Sequence, residues 1–241
     1  MDFEFMQDTF LRLLSGVPLT LNLAFTSVAF GAVFAMLLAL MRMSGVKVLD
    51  WFARAYVFVF RGSPLLVQIF LIYYGLGQFR PTLQEWGLWT FFREPYWCAI
   101  LALTLNTAAY ASEIIRGGLQ SVPHQQVEAA RACGMSGFLL FRRIVFPIAV
   151  RQALPAYGSE LILMVKATSL ASIITMMEVT GIAAKLISQT FRAVEVFVVA
   201  GVIYLILNFT ITRIIMAIEW WLSPHLRRPP AVKPALEAVH V

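Results

Sequence analysis

The sequence VAFGAVFAMLLAL occupies residues 28–40, inside a stretch from Leu13 to Met41 that carries no charged side chain. A helix needs about 20 mostly apolar residues to cross a bilayer, because the hydrocarbon core has no water to satisfy its backbone groups. The stretch is too long for the apolar region of a signal peptide, and no small-residue cleavage pattern follows it. It therefore predicts a membrane-spanning helix that stays in the mature protein.

The composition of the whole chain agrees with this interpretation. Of its 241 residues, 60% are hydrophobic and 13% are charged, and the mean hydropathy is +0.77. Soluble domains have roughly 45–50% apolar and about 25% charged residues. These values exclude a cytosolic enzyme, a disordered chain and a secreted disulfide scaffold. We expect both cysteines, Cys98 and Cys133, to be free.

Four more stretches are long and apolar enough to cross the membrane. They are Gly62–Phe79, Pro95–Ser112, about Leu154 to Met177, and Val196–Thr212. The sequence thus predicts an all-α membrane protein with five transmembrane helices. We expect a membrane domain over residues 1–223 and a short disordered cytoplasmic tail over residues 224–241, where prolines are frequent.

The positive charges predict an orientation. Nineteen Lys and Arg residues exceed thirteen Asp and Glu residues, giving a net charge of +6. With five spans, Lys166 lies inside a span, thirteen of the others fall on one side, and five fall on the opposite side: Arg12, Arg80, Arg93, Lys185 and Arg192. Cytoplasmic loops carry the excess of Lys and Arg. The N-terminus is therefore expected outside and the C-terminus inside.

The longest segment between spans, residues 116–153, falls on the predicted cytoplasmic side. Pro123 follows a serine and a valine, which is typical of a helix start, and good helix formers then continue to Gly134. A second helix is expected to begin at Ser136 and to end at Pro147. Their apolar faces are too short to span, so they require a partner groove or the lipid headgroups.

This segment resembles a known signature. The run Glu128-Ala129-Ala130, then Gly134, then Ile144-x-Phe146-Pro147 is similar to the E-A-A, G and I-x-L-P signature of the integral subunits of bacterial ATP-binding-cassette (ABC) importers. The chain departs from it at Phe146, where the family has leucine, and at Gln125, where it usually has glycine.

Three other stretches resemble the polar amino-acid branch of that family, the histidine, arginine and opine permeases. They are YVFVFRGSPLLVQ at 56–68, LNTAAYASEI at 105–114, and ALPAYGSE at 153–160 followed by KATSL at 166–170. Ala167 occupies the position of an aspartate in the family pattern. Together the similar stretches extend over nearly the whole chain.

The resemblance implies a type I ABC importer (methionine-permease-like) transmembrane fold in the bacterial inner membrane. It also implies a permease subunit that moves polar, basic amino acids or opines by alternating access. Glu128, Ala129, Ala130 and Gly134 would then dock the ATPase. The implied partners are a second permease chain, different or identical, two ATPase subunits that hold ATP and Mg²⁺, and an extracytoplasmic binding protein. Lipid surrounds the chain, and no nucleic-acid partner or cofactor of its own is expected.

Two charges lie within the predicted fourth span. A charge inside the membrane is costly and is by default a functional hypothesis. Met164 and Thr168 continue the face of Glu160 at four-residue steps, so the three residues are candidates for the substrate pathway. The Glu160 carboxylate is expected a turn or two inside the cytoplasmic end. Lys166 is interpreted as structural.

Other patterns have simpler interpretations. The run from Arg61 to Pro64 is typical of a helix start with a capping serine, and Glu113 with Arg116 has i,i+3 ion-pair spacing. The three histidines have no second ligand at metal spacing, so no metal site is expected.

The chain contains no G-x-x-x-x-G-K phosphate loop, because none of its glycines is followed by lysine. ATP hydrolysis must therefore come from another subunit, and this chain is not expected to be an enzyme. The alternative from another class is an ATP-independent channel or facilitator for small cations or amino acids. That alternative gives no reason for the Glu-Ala-Ala loop.

Overall fold

The computed structural model describes residues 2–222, and all regular structure within that range is helical. The helices are α1 Phe3–Leu14, α2 Val17–Met43, α3 Lys47–Gly62, α4 Leu65–Gln78, α5 Arg80–Glu85, α6 Trp89–Phe92, α7 Pro95–Gln120, α8 His124–Ala132, α9 Gly137–Leu140, α10 Phe146–Ala167, α11 Val179–Thr190 and α12 Ala193–Leu222. A π-helical turn, Phe141–Val145, joins α9 to α10, and a 3₁₀ helix, Thr168–Ile174, follows α10. The tail predicted over residues 224–241 lies outside the described residues.

Four helical segments of the described chain are long and apolar enough to cross a membrane. They are Phe3–Met43, Pro95–Gln120, Gly137–Ile174 and Ala193–Leu222. A fifth span exists if the bent pair α3 and α4 counts as one. The all-α membrane architecture expected from the sequence is therefore present.

The second predicted span, Gly62–Phe79, is not one straight helix. It coincides with α4, which has only 14 residues, and α4 is bent by 103° from α3. The bend follows from Pro64, because a proline disfavours the helical conformation of the preceding residue. Ser63 is accordingly extended, with ψ 143°. Its hydroxyl donates to the Val59 carbonyl of α3 at 2.7 Å, so it does not cap the next helix as the sequence suggested.

The fourth span begins earlier than predicted and passes through Pro147. Proline lacks the N–H that an α-helix needs and crowds the carbonyl four residues earlier. The chain adjusts with the π-helical turn, where the Phe146 N–H donates to the Phe141 carbonyl, five residues back. Helix α10 then continues to Ala167. Pro147 is thus accommodated near the start of α10. The prediction that a helix ends at Pro147 is therefore wrong.

Helices α2 and α7 form the most extensive helix pair in the structure. Small residues, which let two backbones approach closely, are buried on both helices: Ala24, Ser27, Gly31 and Ala35 of α2, and Ala108 and Ala111 of α7. Gly31 faces Thr107, and a Cβ atom at Gly31 would overlap the Thr107 methyl group. Helix α10 packs against both α2 and α7. These three helices are the frame of the candidate site.

A buried carboxylate fixes the segment that follows the 3₁₀ helix. Glu178 is fully buried and caps α11, where it accepts hydrogen bonds from the backbone N–H groups of Thr180 and Gly181. The Tyr204 hydroxyl of α12 donates to the same carboxylate at 2.8 Å. The cap therefore ties α11 to α12.

The close contact of α2 with α7 generates a prediction. Gly31→Val should lower the free energy of unfolding by about 1–3 kcal/mol, because the added methyl groups force Thr107 out of its position or push the helices apart. Gly201→Val is the matched control, since nothing lies within 4 Å of a Cβ at Gly201 of α12. Thermal unfolding of the two detergent-purified variants measures the difference. Equal melting temperatures would contradict the packing described here.

Candidate functional site

Halfway along α7, two neighbouring polar residues are buried. Asn106 is 8% exposed and Thr107 is 1% exposed. The Thr107 hydroxyl donates to the Glu160 carboxylate of α10 at 2.8 Å, and Glu160 is itself only 6% exposed. A hydrogen bond to a charged group inside a low-dielectric medium is strong and expensive to leave unmade. This bond therefore holds α7 and α10 in register at the middle of the bundle.

The helical segment that carries Glu160 is longer than the predicted fourth span. The long helical segment that contains it begins at Gly137 rather than near Leu154. Glu160 lies 23 residues into this segment and bonds to the midpoint of α7. It is thus level with the midpoint of α7 and lies about two turns before the end of α10 at Ala167.

A cavity of about 260 Å³ opens next to Glu160. It is lined by Asn106, Tyr110, Glu160, Leu163, Met164 and Ala167. Helix α7 supplies an amide and a phenol, and α10 supplies the carboxylate together with three apolar side chains. A small number of polar groups on an apolar wall is typical of sites for small polar molecules.

The structure brings together two of the three predicted pathway residues. Glu160 and Met164 both line the cavity, while Thr168 does not. Thr168 is fully buried at the start of the 3₁₀ helix, and its hydroxyl donates to the Val165 carbonyl at 2.7 Å. The four-residue spacing predicted Thr168 on the same helical face as Glu160. The α-helix ends at Ala167, however, so this periodicity does not extend to Thr168. Lys166 is exposed.

The break between α3 and α4 is tied to the cavity wall by two buried amides. The Gln68 amide donates to the Phe60 carbonyl at 2.9 Å and to the Ser63 carbonyl at 3.1 Å. The Asn106 amide donates to the Gln68 side-chain oxygen at 3.0 Å and to the Phe60 carbonyl at 3.4 Å. Backbone carbonyls released by the bend thus regain donors. Sequence reasoning did not identify Gln68 or Asn106, since their partners depend on the bend.

The predicted docking residues lie on and after α8. The Glu128 side chain is 62% exposed, and its carboxylate contacts Nδ1 of His124 at 3.1 Å. Ala129 is exposed, whereas Ala130 is 6% exposed and packs inward. The helix thus presents an acidic, small-residue face to the outside.

Gly134 ends this helix in the left-handed region, with φ +81°. Its N–H donates to the Arg131 carbonyl at 2.9 Å, and the Met135 N–H donates to the Ala130 carbonyl at 3.0 Å. This pair of bonds is the Schellman motif, which favours glycine at the left-handed position. The turn expected at Gly134 is therefore confirmed.

Near the C-terminal end of α7, charged residues of α2, α3 and α7 form a network of ion pairs. Glu113 pairs with Arg116 at 2.6 Å, which confirms the predicted i,i+3 pair, and also with Arg42 of α2. Arg42 lies 3.5 Å from Asp50 of α3, which in turn pairs with Arg54 at 2.9 Å. The link between Arg42 and Glu113 was missed because these residues are 71 positions apart. Within residues 2–222, no cluster of three His, Cys, Asp or Glu side chains is suited to hold a metal ion.

Comparison with known proteins places these features in a family. The family described as "Binding-protein-dependent transport system inner membrane component" matches residues 28–223. A nopaline transport system permease protein of Agrobacterium fabrum is 60% identical over 227 residues, which cover 94% of each chain. An octopine transport system permease protein of Rhizobium meliloti is 61% identical over 93% of this chain and 91% of its own.

A more distant relative and two solved structures extend the comparison. A histidine/lysine/arginine/ornithine transport system permease protein of Escherichia coli K12 is 41% identical over 82% of this chain and 83% of its own. A chain of an amino acid ABC transporter crystallised with histidines superposes with a TM-score of 0.79 and 35% identity, covering 91% of this chain and 98% of that one. An inward-facing methionine ABC transporter gives a TM-score of 0.68 at 22% identity over 92% and 99% of the two chains, which shows the same fold.

Proposed function

The chain belongs to the family of binding-protein-dependent transport system inner membrane components, and on that premise we propose that it carries cationic amino acids or opines across the membrane. It is a permease subunit of an ABC importer and has the type I importer fold. Such subunits are not enzymes themselves. They act with ATPase and substrate-binding partners, which supply the energy and deliver the substrate.

The observation that carries the proposed substrate class is the Glu160 carboxylate beside the cavity. An unpaired cation is costly in a low-dielectric path, so a cationic substrate requires a fixed anion where it crosses. Glu160 is bonded to the midpoint of α7 and borders the cavity with Met164, whose thioether supplies part of the apolar lining. The names of the relatives, which transport nopaline, octopine, and histidine, lysine, arginine or ornithine, support the same class.

The proposed ATPase contact is the exposed face of α8 with the turn at Gly134. Helix α8 packs against the π-helical turn at the start of the long fourth segment, so a force on α8 reaches α10 directly. Two such permease chains would each place one docking helix against one ATPase. ATP and Mg²⁺ would bind to the ATPases, and closure of the ATPase pair would rock the helices between inward- and outward-facing states. We favour a heterodimer of permease chains, with a homodimer as the other arrangement.

The proposed orientation puts the N-terminus in the periplasm and α8 in the cytoplasm. The excess of Lys and Arg supports it, because these residues concentrate in the segments that include α8 and the turn between α2 and α3. This orientation also puts the Glu128 face on the side where ATP is available.

Substitutions in the docking helix test the ATPase contact. Gly134→Val and Glu128→Ala should each reduce the ATPase that copurifies with the permease by roughly tenfold, because they distort the left-handed turn or remove a charged contact. Gly45→Val is the control for backbone strain, since Gly45 also has a positive φ and open space around it. Glu85→Ala is the control for loss of an exposed acid. Full copurification in both docking variants would show that α8 is not the contact.

Cysteine accessibility tests the orientation. In sealed cells that lack the ATPase subunits, the exposed native Cys133 should not react with a membrane-impermeant thiol reagent, but it should react in inside-out vesicles. With Cys133 replaced by serine, cysteines introduced at Gln7 and Gln84 should behave in the opposite way. Cys98 is buried and serves as an internal blank. Reaction of Cys133 from outside intact cells would contradict the proposed orientation and support the opposite one.

The charge of Glu160 is tested by Glu160→Gln. The glutamine keeps an oxygen that accepts the Thr107 hydroxyl bond but removes the anion. ATP-driven uptake of L-arginine by the reconstituted complex should fall at least tenfold, while ATPase copurification stays unchanged. Glu85→Gln, at an exposed acid, should transport normally. Uptake by Glu160→Gln at the wild-type rate and with the wild-type selectivity would contradict the proposal that the Glu160 charge selects a cationic substrate.

A further inference from the structure

Arg61 lies in the last turn of α3, immediately before the break in the helix. Its guanidinium stacks over the ring of Tyr110, 5.0 Å from the ring centroid, and Tyr110 lines the cavity beside Glu160. The Arg61 side chain is exposed. A fixed cation therefore stands at the edge of the cavity whose wall holds a fixed anion.

The charge of Arg61 is not neutralised within the described part of the chain. Among residues 2–222, no carboxylate comes within ion-pair distance of its guanidinium. Arginine residues in other parts of α3 and α7 do have such partners, as Arg54 has Asp50 and Arg116 has Glu113. Arg61 therefore presents an unpaired cation at the edge of the cavity, where it can meet the anionic group of a ligand.

The structure also holds Arg61 in place. The carbonyl of the preceding residue, Phe60, accepts hydrogen bonds from both Gln68 and Asn106. Asn106 itself lines the cavity. The backbone at Arg61 is thus fixed to the cavity wall, and the Tyr110 ring limits the freedom of the guanidinium. Binding sites in transporters are often formed where a membrane helix is broken, because the break exposes polar groups at mid-depth.

On the basis of the proposed function, we propose that Arg61 binds the carboxylate of the substrate while Glu160 binds its cationic group. A guanidinium matches a carboxylate with two parallel hydrogen bonds, which lysine does not reproduce. The two side chains together favour a zwitterionic molecule over a simple cation. Arg61 is then a specificity-determining residue that every substrate with an amino-acid carboxylate uses, whatever its side chain.

Two ligands that differ only in the carboxylate test this assignment. L-arginine and agmatine share the amine and guanidinium, but agmatine has no carboxylate. Their equilibrium binding is measured on the detergent-purified complex of the permease chains and ATPases, without the delivery protein. Arg61→Gln should weaken L-arginine binding roughly 10- to 100-fold and should not weaken agmatine binding, because agmatine has no carboxylate for Arg61 to hold. Arg61→Lys should recover part of the loss, because it restores the charge without the two-pronged geometry.

The controls separate this inference from the proposed function. Glu160→Gln should weaken the binding of both ligands. Arg54→Gln, two turns earlier on α3, should weaken the binding of neither. If Arg61→Gln left L-arginine binding unchanged while Glu160→Gln impaired it, the inference would fail and the proposed function would stand. Equal weakening of both ligands by Arg61→Gln, or dissociation of the complex on size exclusion, would assign Arg61 a structural role. A wild-type complex that bound neither ligand would overturn both.

Discussion

Backbone polar groups inside a bilayer must find partners within the protein, and the break between α3 and α4 is where this requirement is hardest to meet. The bend at Ser63 and Pro64 releases carbonyl groups that no helix can satisfy. Two buried amides, Gln68 and Asn106, supply the missing donors. Because Asn106 sits in the middle of α7, the same bonds that make the break tolerable place it beside the cavity.

The second determinant is the close approach of α2 to α7. Gly31 leaves room for the Thr107 methyl group, and with that methyl group seated against α2 the hydroxyl of Thr107 is directed to Glu160. A carboxylate that accepts this bond is held in one position without being neutralised by a cation. The carboxylate therefore has a fixed position on the cavity wall. The close packing of small residues between α2 and α7 thus determines the position of the Glu160 carboxylate, although none of these small residues contacts it through a charged group.

Much of this arrangement is visible in the sequence, because it depends on local patterns. Apolar stretches predicted the spans, the Schellman glycine at Gly134 predicted the end of α8, and the cost of an intramembrane acid singled out Glu160. The remainder depends on contacts between distant parts of the chain. The bend that makes Gln68 a backbone donor, the π-helical turn that accommodates Pro147 and the stacking of Arg61 on Tyr110 have no signature at fixed spacing. Thr168 is an error of another kind. It was assigned to the Glu160 face by extending the helical periodicity beyond Ala167, where α10 ends.

The long segment from Gly137 to Ile174 connects the two sites that the sequence treats separately. Its first turns pack against α8, and Glu160 lies roughly 30 Å further along at a helical rise of about 1.5 Å per residue. A continuous helix transmits displacement along its axis far better than a loop does. Glu160 is bonded to α7, and α7 also leads into α8, so the proposed docking helix is connected to the cavity along two helices at once. A movement of α8 therefore shifts both walls that carry Glu160 and Asn106, whereas Arg61 belongs to α3 and is linked to that pair through Asn106 and Tyr110. If α8 is the docking helix, its motion would therefore act on Glu160 and on the residues that hold Arg61 through the same two helices.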